Sequence, residues 1–112
     1  MNQELEKETP YIVIELIEYV RNGIVSKTIV NRTTGSITVS SIDAGEELIL
    51  KTQPFDTFIQ VIDGEAEVRI NNKKFNLRLG EGIIVPAHAS QRFNASEKFK
   101  MIATTIKSGY ED

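Results

Sequence analysis

Two polar residues, Lys51 and Gln53, lie two positions apart in a hairpin that begins at Gly45 and ends at Gly64. Side chains alternate between the faces of a β-strand, so both residues are predicted to point to one face. The lysine ammonium offers three donors and a positive charge, and the glutamine amide both donates and accepts. This combination suits an anionic or carbonyl group, and a desolvated lysine can also act as a base or form a Schiff base.

His88 is the single histidine, and the chain contains no cysteine. A thiolate nucleophile, a disulfide framework and a zinc-finger ligand set are therefore excluded. One imidazole without a second soft ligand is a poor anchor for zinc or iron, even if Asp56 or Glu65 approached it. Two interpretations of His88 stay open: a turn residue that forms a backbone hydrogen bond, or a residue that contacts a ligand.

Composition limits the possible partners. The chain has 112 residues, 40% of them apolar, which is enough for one domain without disulfides. Its formal net charge is -3, and the basic residues are scattered, so nucleic acid is not an expected partner. The chain has neither a basic segment followed by an apolar one at its start nor a run of 18 apolar residues. The sequence therefore predicts no membrane partner and a cytoplasmic location.

Short β-prone runs separated by turn residues follow Gly23, and this pattern is typical of a sandwich or barrel. Asp63-Gly64 and Asn71-Asn72 are turns that tolerate positive φ. The predicted strands are Ile24–Asn31, Ser36–Ile42, Glu47–Thr52, Thr57–Ile62, Glu65–Ile70, Lys74–Leu79, Gly82–Val85, Gln91–Phe93 and Phe99–Ile106.

The N-terminal region is less regular. Residues 1–9 are mostly polar and are predicted to form a flexible arm, with a single domain over 10–112. A short helix that stops at Asn22-Gly23 is indicated by the apolar residues Ile14, Leu16, Ile17 and Val20. The alternative is an edge strand over Tyr11–Ile14, because that run is rich in β-branched residues.

The hairpin around Lys51 resembles the first motif of the cupin family, whose members are small jelly-roll barrels. That motif runs glycine, five residues, His-x-His, three or four residues, glutamate, six residues, glycine. Here Gly45 and Gly64 frame the motif, Lys51 and Gln53 stand at the two histidine positions, and Thr57 stands at the glutamate position.

A second stretch resembles the other cupin motif, which runs glycine, five residues, Pro-x-Gly, two residues, histidine, three residues, asparagine. Gly80, Pro86 and Asn94 are in register with it. His88 occupies the second glycine position, and Gln91 occupies the histidine position. The resemblance therefore preserves the turns and changes the functional residues.

The resemblance covers residues 24–106 as the barrel core and implies an all-β fold, a cupin double-stranded β-helix with a short N-terminal helix. In metal-binding cupins three histidines and a glutamate hold a divalent transition ion. All four positions differ here: an ammonium has no lone pair, and Gln53, Thr57 and Gln91 offer only weak neutral oxygen donors. We therefore predict neither metal nor another cofactor, and we do not expect a metal-dependent dioxygenase.

The same resemblance brings Lys51, Gln53, Thr57 and Gln91 to the barrel mouth, with His88 at its rim. These five are the predicted binding residues for a small polar or anionic molecule. The alternative is a plug in which the polar side chains bond to one another and to water. The inward positions that would fill the remaining interior are Ile49, Ile59, Val61 and Phe93.

Whether the barrel catalyses a reaction is not decided by the sequence, and no catalytic residue is assigned. The alternative function is a metal-independent isomerase or lyase that uses Lys51, for which the sequence offers no oriented acid or base partner.

A homodimer is also predicted, because small cupins commonly pair through outward sheet faces. Phe58 and Ile62 alternate with the inward residues of their strand, so they form a candidate apolar outer face. The alternative is that the N-terminal helix covers this face within one chain, through Leu16 and Ile17.

Overall fold

The protein was analysed as a computed structural model that describes residues 4–110. Their secondary structure is a 3₁₀ helix, Val13–Glu15, followed by strands. Each predicted strand is present with ends that differ by at most two residues. The strands are β1 Ile24–Arg32, β2 Gly35–Ile42, β3 Glu47–Leu50, β4 Asp56–Asp63, β5 Ala66–Ile70, β6 Lys73–Leu77, β7 Gly82–Val85, β8 Gln91–Asn94 and β9 Phe99–Ile106.

The strands form two antiparallel sheets that face each other. The five-stranded sheet has the order β1-β2-β9-β4-β7, and the four-stranded sheet has the order β3-β8-β5-β6. Chain neighbours such as β2 and β3, or β4 and β5, lie in different sheets, as expected for a jelly roll. The all-β prediction is confirmed.

The core lies between the two sheets and follows the period-two alternation of the strands. On β4 the inward residues Ile59 and Val61 are fully buried, and Phe93 of β8 is fully buried on the opposite sheet, as predicted. The core also contains Ile42, Ala66, Val68, Ile70, Leu77, Val85, Ala89, Ala95, Phe99 and Met101.

Two turns depend on residues that adopt positive φ. Asn71 and Asn72 connect β5 to β6 with φ of 52° and 88°, which matches the predicted two-residue hairpin turn. Gly64 connects β4 to β5 with φ of 74°, and a Cβ there would overlap the backbone carbonyl of Lys98. The first turn joins two neighbouring strands of the four-stranded sheet, and the second crosses from one sheet to the other.

The predicted N-terminal helix is reduced to the single 3₁₀ turn, and the alternative edge strand does not form either. The turn has no side-chain cap hydrogen bond, so little local energy supports a longer helix. Tertiary contacts hold the segment instead. Lys100 Nζ donates to the Ile14 carbonyl at 2.7 Å, and the Tyr19 hydroxyl donates to Asp63 Oδ2 at 2.6 Å. Burial and this hydrogen bond to the Asp63 carboxylate both raise the pKa of Tyr19.

Part of the predicted arm lies outside the described residues, namely residues 1–3. The Leu5 amide donates to the Ile29 carbonyl at 3.2 Å, and Arg32 pairs with Glu4 at 2.8 Å, so residues 4 and 5 lie along β1. The boundary at residue 10 stays a prediction. Between residues 4 and 110, no helix is long and apolar enough to cross a membrane.

Candidate ligand-binding cavity

A cavity of about 220 Å³ lies against the inner face of the five-stranded sheet. Hydroxyl and amide groups line it together with a few apolar side chains and one lysine. The lining residues are Ser26, Ser36, Thr38, Ser40, Leu48, Leu50, Gln53, Thr57, Gln91, Met101, Ala103, Thr105 and Lys107.

Strand pairing assembles the hydroxyl groups into rows. Thr105 of β9 has Ser36 of β2 as its partner on one side and Thr57 of β4 on the other. The hydroxyls of Thr57 and Thr105 are 3.1 Å apart and hydrogen-bonded. A second hydroxyl pair, Ser26 and Ser40, is 2.8 Å apart. Each pair uses one of its two hydrogens internally, so each still has one to donate.

Gln91 joins the cavity from the opposite sheet. Its side chain is only 6% exposed, because β8 runs between β3 and β5. Its Oε1 atom is buried and has no hydrogen-bond partner among the described residues. A buried acceptor without a partner costs about 1 to 3 kcal/mol, so the free protein carries an unfavourable polar group beside the cavity.

Lys107 is the one charged residue among the described residues that line the cavity. It follows Ile106, the last residue of β9, and continues the inward series of Met101, Ala103 and Thr105. Its backbone amide donates to the Thr34 carbonyl at 2.8 Å, which ties the end of β9 to the β1–β2 turn. Lys107 is therefore the lining residue that can bring a positive charge to the cavity.

The structure brings together three of the five predicted binding residues: Gln53, Thr57 and Gln91 line the cavity. Lys51 is exposed and does not line it. Within β3, Leu50 packs inward against the core, whereas Ile49, which was predicted to face inward, is 60% exposed. That prediction for Ile49 is wrong. The prediction that Lys51 and Gln53 share one face is also wrong, because β3 ends at Leu50 and the alternation of a strand does not extend to these two residues.

His88 is exposed and also lies outside the lining residues. Its φ is 71°, and its backbone amide donates to the Gln53 carbonyl at 2.6 Å. The amide of the preceding residue, Ala87, donates to Asp56 Oδ1 at 2.8 Å. Through its backbone, the turn at His88 therefore holds in place the segment that carries Gln53.

Lys107 and most of the hydroxyl groups were not among the residues predicted from the sequence. The available signal was alternation: Ser36, Thr38 and Ser40 recur every second residue of β2, and Thr105 is followed two positions later by Lys107. An inward row of small hydroxyl residues in a strand otherwise rich in Ile and Val is unusual for a packed core.

The cavity does not fit the transition metal of metal-binding cupins. At the family's four ligand positions, Gln53, Thr57 and Gln91 supply neutral amide and hydroxyl groups to the cavity, and Lys51 lies outside its lining. These groups are weak ligands for a transition ion. Across residues 4–110, no group of three or more His, Cys, Asp or Glu side chains could hold a metal ion.

Solved structures with the same fold include cupins. A cupin superfamily protein of Desulfitobacterium hafniense is 25% identical and has a TM-score of 0.86, with 96% of this chain and 99% of that chain covered. A cupin 2 conserved barrel domain protein of Leptotrichia buccalis is 31% identical and has a TM-score of 0.83, covering 87% of this chain but only 47% of that longer one. A conserved Streptococcus pyogenes protein of unknown function is 25% identical and has a TM-score of 0.88, with 96% of this chain and 95% of that chain covered.

No protein-family model matches the sequence, and no curated protein matches it. The likeness to known cupins therefore rests on the two-sheet jelly roll, the strand order and these structural matches. Together they show that the chain has the cupin fold.

Proposed function

We propose that this cupin binds a small polar or anionic molecule in the cavity and does so without a transition metal. The buried Gln91 Oε1 atom, which has no partner among residues 4–110, carries the proposal. A protein that only needed to fold would be more stable with an apolar side chain at this position. Oε1 is buried in the free protein, so the Gln91 side chain would rotate to accept a hydrogen bond from a ligand in the cavity, and that bond would remove the cost.

The size of the cavity supports a small ligand. Pockets for drug-sized molecules are typically about 300 to 1,000 Å³, and this one is about 220 Å³. At about 30 Å³ per molecule in liquid water, the volume corresponds to roughly seven waters. A ligand of comparable size would fill it.

The alternative of a closed plug has less support. In a plug the polar side chains would satisfy one another, as Thr57 and Thr105 do. Gln91 does not follow that pattern, since it has an unsatisfied acceptor. Space for several waters also remains beside it.

Catalysis by Lys51 is not proposed. A base or Schiff-base lysine must reach the bound substrate, and Lys51 is exposed and outside the cavity lining. No observation therefore favours the isomerase or lyase alternative.

A ligand screen followed through the Gln91 amide tests the proposal. Neutral polyols, carboxylates and amino acids are titrated into labelled protein, and the side-chain amide signals of Gln91 are recorded by NMR. At least one class should shift these signals and raise the melting temperature. Gln91→Leu should abolish the gain in melting temperature, whereas the outer-face variant Gln60→Leu should keep it. The proposal fails if no compound shifts the Gln91 signals and no small molecule is released from natively purified protein on denaturation.

We also propose that two copies pair through the outer face of the five-stranded sheet. Phe58 and Ile84, which are register partners, are 43% and 63% exposed, and Ile106 is 57% exposed. Neighbouring exposed apolar residues indicate a contact surface. The outer face of the four-stranded sheet instead carries charge pairs such as Lys74 with Glu67, which suits solvent. The cytoplasmic location stays a prediction.

A further inference from the structure

The charge of the cavity restricts its ligand. Among residues 4–110, Lys107 is the one ionisable residue in the lining, and no aspartate or glutamate of this range lines the cavity. An ammonium in a partly enclosed site favours an anionic partner, and charge-assisted hydrogen bonds are stronger than neutral ones. The ligand is therefore expected to carry an acidic group that lies beside Lys107.

A second group of the ligand has to be a hydrogen-bond donor. Gln91 Oε1 can only accept, and an ionised carboxylate has no hydrogen to donate. The acidic group that pairs with Lys107 therefore cannot also satisfy Gln91. The required donor must be a hydroxyl or an amine elsewhere in the same molecule.

The remaining lining favours a hydroxyl over an amine. The pairs Ser26 with Ser40 and Thr57 with Thr105 each retain a free hydrogen. Each hydroxyl pair therefore needs an acceptor for its free hydrogen, and its oxygen atoms can also accept a hydrogen bond. A hydroxyl both donates and accepts, whereas an ammonium only donates and would be repelled by the charge of Lys107.

We propose that the ligand is a small hydroxylated monocarboxylate, held at its acid group by Lys107 and at a hydroxyl by Gln91. This inference rests on the proposed function and adds the chemical class of the ligand and the residue that selects it. It assigns the charge to Lys107, which lines the cavity, rather than to Lys51, which does not. The apolar lining residues Leu48, Met101 and Ala103 leave room for its carbon chain.

Three probes separate the two contacts. Glycerate has hydroxyls and a carboxylate, glycerol has only the hydroxyls, and propionate has only the carboxylate. Each is titrated into the full chain, and its Kd is measured by calorimetry or from the Gln91 amide signals. We expect glycerate to bind about tenfold more tightly than either analogue, because each analogue loses one buried polar contact.

Two lysine variants form the matched control. Lys107→Gln should weaken glycerate binding about tenfold more than it weakens glycerol binding, because the positive charge pairs only with the carboxylate of glycerate. Lys51→Gln removes the same charge outside the lining and should change glycerate binding less than twofold. Circular dichroism tests whether both variants are folded. If Lys107→Gln unfolds, glycerate binding is measured instead with Lys107→Arg, which keeps the charge.

The outcomes separate this inference from the proposed function. Glycerol and glycerate binding equally well, with shifted Gln91 signals, would overturn the hydroxy-acid assignment and leave small-molecule binding intact. Loss of glycerate binding in Lys51→Gln but not in Lys107→Gln would overturn the choice of lysine. If none of the three probes shifts Gln91, the hydroxy-acid class is wrong, and the wider screen decides whether the cavity binds any ligand.

Discussion

Replacing Gln91 with leucine should stabilise the free protein and abolish ligand binding. The substitution removes a buried acceptor that has no partner among residues 4–110 and substitutes a leucine of similar size. An unsatisfied buried acceptor costs about 1 to 3 kcal/mol, so the free energy of unfolding should rise by about that amount.

The gain can be measured as a change in melting temperature. For a chain of 112 residues, an unfolding entropy of about 2.1 cal/mol/K per residue gives roughly 4 °C per kcal/mol. The melting temperature of Gln91→Leu should therefore rise by roughly 4 to 12 °C. Calorimetry and urea unfolding, both without ligand, measure the change.

Gln53→Leu provides the matched control, because Gln53 also lines the cavity but is exposed to solvent. Its effect should stay within about 0.5 kcal/mol, as for other surface substitutions. A Gln91→Leu variant that is less stable than the native protein by more than about 1 kcal/mol would refute the reasoning. Such a loss would mean that the Gln91 amide has a partner in the free protein and is part of a plug.

Three further perturbations follow from the fold. Gly64→Ala should lower the free energy of unfolding, measured in urea, several-fold more than Gly45→Ala does. Both residues have positive φ, but of the two only Gly64 lies against a neighbouring backbone. Equal losses of unfolding free energy in the two variants would contradict this reason. Tyr19 has a raised pKa in the folded state, so its stability contribution is complete below about pH 10 and is lost as pH rises further. Tyr19→Phe, which cannot ionise, should flatten that alkaline loss, and an unchanged profile would exclude ionisation of Tyr19 as its cause. Ile84→Lys should convert a dimer to a folded monomer in sedimentation at micromolar concentration, and a native protein that is already monomeric would contradict the pairing.

Local sequence signals were sufficient for the strands and the turns. β-Branched runs bounded by Gly, Asn and Asp define strands because these residue types have strong backbone preferences. The Asn71-Asn72 turn forms where predicted, with both residues at positive φ. The predicted N-terminal helix does not form beyond one turn, because the segment has no side-chain cap hydrogen bond. Hydrogen bonds of Lys100 and Tyr19 hold the segment in a different conformation.

The candidate site was only partly predictable. The motif frame placed Gln53, Thr57 and Gln91 at the cavity, because the cupin turns were intact. Ile49 was assigned to the wrong face, since Leu48-Ile49-Leu50 is apolar throughout and a period-two pattern cannot choose its inward phase. Lys51 and Gln53 follow the end of β3, where a period-two pattern no longer predicts which side chain enters the cavity. Pairing of β3 with β8, which sets Leu50 opposite Gln91, decides that phase.

By itself, therefore, the sequence determined that this chain has an all-β fold, because strand propensity and turn chemistry are local properties. Only the tertiary structure decided which charge enters the cavity. Lys107 and Gln91 are distant in sequence, and they line one cavity because β9 and β8 belong to facing sheets. Such a juxtaposition depends on strand order and register, which local patterns do not specify.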